Sequence, residues 1–321
     1  MSTVPTQRGR ARRLAVVVPL LLAVATAGCA NREEPAAPAG GSTATASSQG
    51  FPVRIPTPDG NQITIERRPE RIISLSASST EALFAVGAGK QVVAVDDQSN
   101  FPAEAPKTTL SGLTPNIEAI ANYGPDLVIA QHDANDLAAG MAKLDTPVLF
   151  LPAPADLKDV WAQFQVLGAA TGHSDEAEKL ASGSRSEIEK IVAETPRKQL
   201  SYYHELDTQL FAATSKTFIG QVYGLFGLTN IADPADTAES GGYPKLSTEH
   251  VVRSNPDLIF LADTRCCGQN AGTVAARPGW DTIKAVRTGN VVELDDDLAS
   301  RWGPRIVELV RAVAAAVGKA G

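Results

Sequence analysis

Two glutamates occupy the same place in two copies of one short pattern. Glu118 lies in Asn116-Ile117-Glu118-Ala119-Ile120, ahead of Gly124-Pro125-Asp126-Leu127-Val128-Ile129; Glu249 lies in Ser247-Thr248-Glu249-His250-Val251, ahead of Asn255-Pro256-Asp257-Leu258-Ile259-Phe260. A polar residue, Glu in the first turn and apolar positions at helical spacing predict a short capped helix, and Pro-Asp then leads into an apolar run of strand length. The chemistry on offer is an ionised carboxylate, favoured by the positive end of a helix and suited to pairing with a guanidinium. The copies lie 131 residues apart, the size of a small domain. They predict two similar α/β lobes, each presenting one acidic helix start, with a ligand held between them.

Other reactive residue types are few. Cys266 and Cys267 are adjacent, and an extracytoplasmic setting leaves open either a vicinal disulfide or two free thiols. The four histidines are scattered, too few for a bare-metal site, with His132 and His204 as cleft candidates and no metal ion expected. Gly87-Ala88-Gly89-Lys90 has the tail of a phosphate loop, but Phe84 stands where its first glycine belongs. A Gly-x-Ser-x-Gly elbow and a zinc-protease His-Glu pair are both missing from the sequence. The chain therefore reads as a binding protein without catalytic residues and without a cofactor of its own.

The N-terminus sets the compartment. Arg8, Arg10, Arg12 and Arg13 precede an apolar run from Leu14 to Ala27, the grammar of an export signal over residues 1–28. Thr26-Ala27-Gly28-Cys29 resembles the lipobox of bacterial lipoproteins, which implies Cys29 as lipid anchor. Residues 29–50 are rich in Ala, Gly, Ser, Thr and Pro and read as a flexible tether. The expected location is extracytoplasmic, anchored to the outer face of the cell membrane. With 29 basic against 36 acidic residues, nucleic acid is a poor partner.

The elements that must position these groups follow in order. Val53 to Ile65 alternates about Pro58-Asp59-Gly60 and predicts a hairpin. From Arg71 to Leu151, strands alternate with helices in a βαβ rhythm, giving an N-terminal α/β lobe over residues 51–155. Residues 156–195 keep helical spacing, with one break near Gly172-His173-Ser174-Asp175, and read as a helical connector. After Pro196 the βα rhythm resumes, giving a C-terminal α/β lobe over residues 196–321. Loops at 233–243 and 263–279 are rich in Gly, Asp and Asn and are expected to line the cleft.

Arg71-Ile-Ile-Ser-Leu-Ser-Ala-Ser-Ser-Thr-Glu-Ala-Leu-Phe-Ala-Val-Gly-Ala-Gly, both repeat units and the segment from Asp297 to Arg305 resemble, in order and spacing, the substrate-binding lipoproteins of ABC importers for ferric siderophores, haem and vitamin B12. The resemblance spans residues 69–317. It implies the class III binding-protein fold: two Rossmann-like lobes with central parallel sheets, joined by a long connecting helix and moving little on binding. It also implies that Glu118 and Glu249 dock onto arginines of the ABC permease dimer, while Glu81 is left structural. By position in the family pattern, Ser78, Ser79, Asn100, Phe101, Gln131, His132, Thr214, Ser215, Tyr243, Arg301 and Trp302 are the expected ligand-binding residues. The expected ligand is an Fe(III)-siderophore; cobalamin is the alternative and haem comes third, with His132, His204 or a tyrosine as axial ligand. A surface adhesin and a chelatase-like enzyme are the rival classes, and the chain is expected to act as a monomer.

Overall fold

The computed structural model describes residues 50–56 and 62–320. The export signal, Cys29, the tether up to residue 49 and the Pro58-Asp59-Gly60 turn lie outside the described residues. β1 (Val53–Pro56) and β2 (Gln62–Ile65) pair antiparallel, Val53 opposite Ile65.

The N-terminal sheet is parallel and contains β3 (Ile72–Leu75), β4 (Val92–Val95), β5 (Leu127–Ala130) and β6 (Val148–Phe150), in the order β4-β3-β5-β6. The second parallel sheet contains β7 (Ser201–Glu205), β8 (Thr229–Asn230), β9 (Leu258–Leu261) and β10 (Val291–Glu293). Its order, β8-β7-β9-β10, is the same topology. The duplicated pattern is thus a duplicated fold.

The correspondence reaches single hydrogen bonds. In the first copy, α1 (Ala77–Ala85) follows β3, α2 (Ile117–Ala121) precedes β5, and α3 (Leu137–Ala142) precedes β6. Asn116 caps α2 by accepting from the N–H of Ala119 at 2.9 Å, and Asp126 accepts from the N–H groups of Glu70 and Arg71 at 2.8 and 2.9 Å, pinning the start of β3. In the second copy Ser247 caps the helix Thr248–Ser254 through the N–H of His250 at 3.1 Å, and Asp257 takes the N–H of Ser201 at 2.8 Å, pinning the start of β7. The Pro-Asp step therefore ends a helix and aligns two parallel strands at once.

Alternation along the strands divides the core. Ile72, Leu127 and Ile129 face one cluster and Ile73, Val128 and Ala130 another; Tyr202, Leu258 and Phe260 face the first, while Tyr203, Ile259 and Leu261 form a third. The first cluster is shared by both lobes. Its middle is built from α4 (Leu157–Thr171), α5 (Ser174–Glu194) and the last helix, Ile306–Lys319.

The break in the connector is a reversal. Gly172 adopts φ +77°, a left-handed cap that ends α4, and α5 folds back along it: Trp161 meets Ser184, Gln165 bonds Glu178 at 2.7 Å, and Gly168 meets Ala177. A Cβ on Gly168 would collide with the Ala177 methyl. The long helix that joins the lobes is α5, 21 residues and about 31 Å in length. Its far end reaches the C-terminal lobe, where Arg311 of the last helix pairs with Glu187 at 2.9 Å.

Among the described residues the α-helices after α5, including the two already met, are α6 (Phe218–Gly224), α7 (Thr248–Ser254), α8 (Thr264–Cys267), α9 (Ala271–Ala275), α10 (Lys284–Arg287), α11 (Asp296–Ser300) and α12 (Ile306–Lys319). The expected loop at 263–279 is in fact mostly α8 and α9. Capping by Asn270, which accepts from the N–H groups of Gly272 and Thr273, lets so short a segment form.

Candidate functional site

Parallel strands leave their carboxyl ends facing outward, and the chain leaves β3, β4 and β5 on the same side. Ser76 and Ser78 follow β3, Asp96, Asp97 and Gln98 follow β4, and Gln131 and His132 follow β5; all line one cavity of about 270 Å³. Ser111, Gly112 and Leu113 close one side, and Ser300, Arg301 and Trp302 close the other from the second lobe. Gly112 is required there, because a Cβ would collide with the Leu75 carbonyl and stand 3.0 Å from Asp96 Oδ2.

Of the expected ligand residues, Ser78, Gln131, His132, Arg301 and Trp302 meet at this cavity. The others stand elsewhere. Ser79 is buried under the cap of α1, its N–H directed at Ser76 Oγ. Phe101 lies beneath the Arg305 guanidinium, 4.3 Å from ring centroid to Cζ, and borders a separate cavity. Thr214 is fully buried, and Ser215 is held by Asp233 through its N–H and hydroxyl, both at 2.8 Å. Tyr243 is half-exposed on its own loop, outside the cavity lining.

Asn100 and Arg301 are engaged across the lobes. The Arg301 guanidinium donates to Glu81 Oε1 at 3.1 Å, Asn100 Oδ1 at 2.8 Å, the Gln98 carbonyl at 2.9 Å and Asp297 Oδ1 at 2.7 Å. Asn100 in turn donates to Asp297 Oδ2 at 2.8 Å. Arg305 forks onto the same Glu81 with contacts of 2.9 and 2.6 Å, and the N–H of Trp302 reaches Ser78 Oγ at 3.3 Å. Glu81 sits in the middle of α1, 3% exposed, and its ion-pair partners from the second lobe are Arg301 and Arg305.

Sequence reasoning missed Asp96, Asp97, Gln98, Ser111, Gly112 and Leu113. Asp96 to Gln98 were findable, because they directly follow a strand of a parallel sheet, where ligands collect. Burial pushes the Asp96 carboxyl up from its usual range, opposed by the Ser99 hydroxyl that donates to it. Among the described residues Arg301 is the one guanidinium or ammonium group lining the cavity, and it is already matched by Glu81 and Asp297. Apart from His132, the remaining lining is uncharged or acidic.

Two expectations about histidine separate here. His132 is exposed and lines the cavity. His204 is wholly buried in the second lobe, its Nδ1 2.7 Å from the Tyr223 hydroxyl, and burial lowers its pKa to about 3. It has no access to a ligand. Among the described residues no group of three or more His, Cys, Asp and Glu is placed to hold a metal ion.

Glu118 and Glu249 are both exposed, one on each lobe, in the first turns of α2 and α7. Glu249 is held below the usual carboxylate range by its own backbone N–H and by the Ser247 hydroxyl. Cys266 and Cys267, exposed at the end of α8, are joined as a disulfide. Asp296 ties that helix to α11, accepting from the N–H groups of Thr264, Arg265 and Cys266.

Twin parallel sheets of one topology, a bridging helix and a cavity between the lobes define a two-lobed solute-binding protein of the class III fold. Residues 72–298 match the periplasmic binding protein family, and the chain belongs to it. Its members bind solutes and are not enzymes. An uncharacterised ABC transporter substrate-binding lipoprotein, YvrC of Bacillus subtilis, is 28% identical over 309 residues, covering 93% of this chain and 94% of that protein. A cobalamin-binding protein of Halobacterium salinarum is 28% identical over 312 residues, 94% of this chain and 82% of that protein. The structure of the periplasmic vitamin B12-binding protein BtuF of Vibrio cholerae superposes with a TM-score of 0.66 at 25% identity, over 78% of this chain and 96% of that one.

Proposed function

We propose that this chain is the extracytoplasmic solute-binding lipoprotein of an ABC importer, that it captures a corrinoid in the interlobe cavity, and that it hands the ligand to the membrane permease. The observation that carries the choice of ligand is the charge of the lining: its guanidinium is consumed by two carboxylates, and Asp96 and Asp97 face the same space. Among the described residues, a ligand bearing several carboxylates or catecholates would meet no unpaired arginine or lysine there. A corrinoid presents mainly amides, which suit the hydroxyls of Ser76, Ser78 and Ser111 and the amides of Gln98 and Gln131. The similarity to a cobalamin-binding protein, over 94% of this chain and 82% of that protein, supports the same choice.

A ferric siderophore, the first expectation from the sequence, is the second reading in one form: an uncharged hydroxamate chelate suits this lining as an anionic catecholate does not. Haem comes after both. His132 is available as an axial ligand, but the propionates lack cations. In this reading Cys29 carries the lipid anchor, and Glu118 and Glu249 engage arginines of the permease. Among the described residues no helix is long and apolar enough to cross a membrane.

Tryptophan fluorescence tests the assignment. Of the three tryptophans, Trp161 and Trp280 are buried in the cores, and Trp302 lines the cavity. Cyanocobalamin at micromolar concentration should quench the emission of the purified protein, and Trp302→Phe should remove most of that quenching. Saturable quenching by a ferric hydroxamate alone would replace the corrinoid with the siderophore. Quenching by neither, with calorimetry also silent, would overturn the cavity as the ligand site.

A further inference from the structure

Glu81 is a buried carboxylate of the first lobe whose partners both come from the second. Arg301 and Arg305 converge on it, and its side chain is 1% exposed against 10% and 19% for theirs. Gly303 lies between them in sequence, and a Cβ there would stand 3.1 Å from Glu81 Oε2, so the turn presses directly on the carboxylate. A second carboxylate, Asp297, holds the other face of Arg301 at 2.7 Å and is itself tied to Asn100 of the first lobe. Asp297 also pairs with Arg265 at 3.1 Å, so Glu81 and Asp297 are matched by arginines in a network directly behind Arg301, which lines the cavity.

That network has a consequence for selectivity. A guanidinium lining a cleft is the ordinary means of recognising a carboxylate or an anionic chelate oxygen, through paired hydrogen bonds. Here both terminal nitrogens of Arg301 are already taken by four protein acceptors, two of them ionised. An anionic ligand forking onto those terminal nitrogens would have to displace Glu81 or Asp297, and leaving a charge as buried as Glu81 unpaired is strongly disfavoured. The same contacts fix Trp302, whose N–H meets Ser78 of the first lobe.

We infer that Glu81, assisted by Asp297, is a specificity-determining residue: by holding Arg301 in an interlobe ion pair it removes the cavity's cation from ligand recognition and so excludes anionic chelates. The inference rests on the cavity being the ligand site. It adds that selectivity is set by a residue which does not touch the ligand. Glu81→Gln keeps the size and an acceptor oxygen while releasing one positive charge at the wall. Asp297→Asn releases charge at the same arginine from a more exposed position, and serves where Glu81→Gln does not fold.

The test compares Kd for ferric citrate, as a small anionic chelate, with Kd for cyanocobalamin, by calorimetry in low salt. The ratio should move toward the anion by tenfold or more in Glu81→Gln, by less in Asp297→Asn, and the gain should fade in high salt. In the double variant Glu81→Gln/Arg301→Gln the gain should vanish. A merely structural role would weaken both ligands together and leave the ratio unmoved, which overturns the inference while cyanocobalamin binding by the wild type keeps the site. Persistence of the anion gain without Arg301 also overturns it. If the wild type binds neither cyanocobalamin nor a ferric hydroxamate, the reading of the cavity falls and this inference with it.

Discussion

At the scale of single residues, the second lobe holds two buried titratable groups that act on stability in opposite senses. Asp263 follows β9, is fully buried with neither carboxylate oxygen hydrogen-bonded, and its pKa is raised to about 7. Desolvation is the main cause and the charge of Glu205 the next, opposed by Arg277, which forks onto Glu205. A carboxyl whose folded pKa lies above its unfolded value stabilises the fold at low pH, and that contribution is lost as pH rises through about 7. His204, whose folded pKa is lowered to about 3, does the reverse: its contribution is present above the unfolded pKa and lost as pH falls. Between about pH 4 and 6.5 the two slopes oppose each other. Asp263→Asn should therefore raise the melting temperature at pH 8 and make it fall more steeply on acidification than in the wild type. Parallel melting curves for the two proteins across pH 4 to 8 would show that Asp263 is not the titrating group.

At the scale of elements, the repeat was legible because it is written in local chemistry: an N-cap, a first-turn glutamate and a Pro-Asp step, each with its own hydrogen bond. The strands were legible as apolar runs, since parallel strands are buried on both faces. What escaped depends on contacts between distant segments. Nothing local marks Glu81 as the partner of Arg301 and Arg305, more than 200 positions away, so the arginine expected to contact a ligand also proves to join the lobes. The hairpin of α4 and α5 was visible only as a break, because its fold-back depends on how closely Gly168 approaches Ala177. Gly168→Ala should lower stability by about 1–3 kcal/mol through overpacking. Its signature would be a reduced denaturation midpoint with an unchanged urea slope, and an undiminished midpoint would mean that the hairpin tolerates a wider crossing.

For the whole molecule, the geometry separates the interlobe cavity from the two exposed first-turn glutamates. The ligand cavity lies where the carboxyl ends of β3, β4 and β5 meet the second lobe, and the exposed glutamates lie on helices that precede β5 and β9, outside the cavity lining. One apolar core runs through both lobes by way of α4, α5 and α12, and the Glu81 junction ties the lobes again beside the cavity. A body joined at two places is suited to holding one carboxylate of each lobe at a fixed spacing, as the proposed docking on a permease would need. If Glu118 and Glu249 serve docking, reversing their charge should spare capture and abolish delivery. The double variant Glu118→Arg/Glu249→Arg should bind cyanocobalamin within about threefold of the wild type, because neither residue lines the cavity. It should at the same time fail to stimulate ligand uptake by proteoliposomes containing the cognate permease and ATPase, and each single variant should fall between. Loss of ligand binding in the double variant would place these glutamates in the integrity of the lobes instead, and full uptake would free the docking surface to be sought elsewhere on the protein.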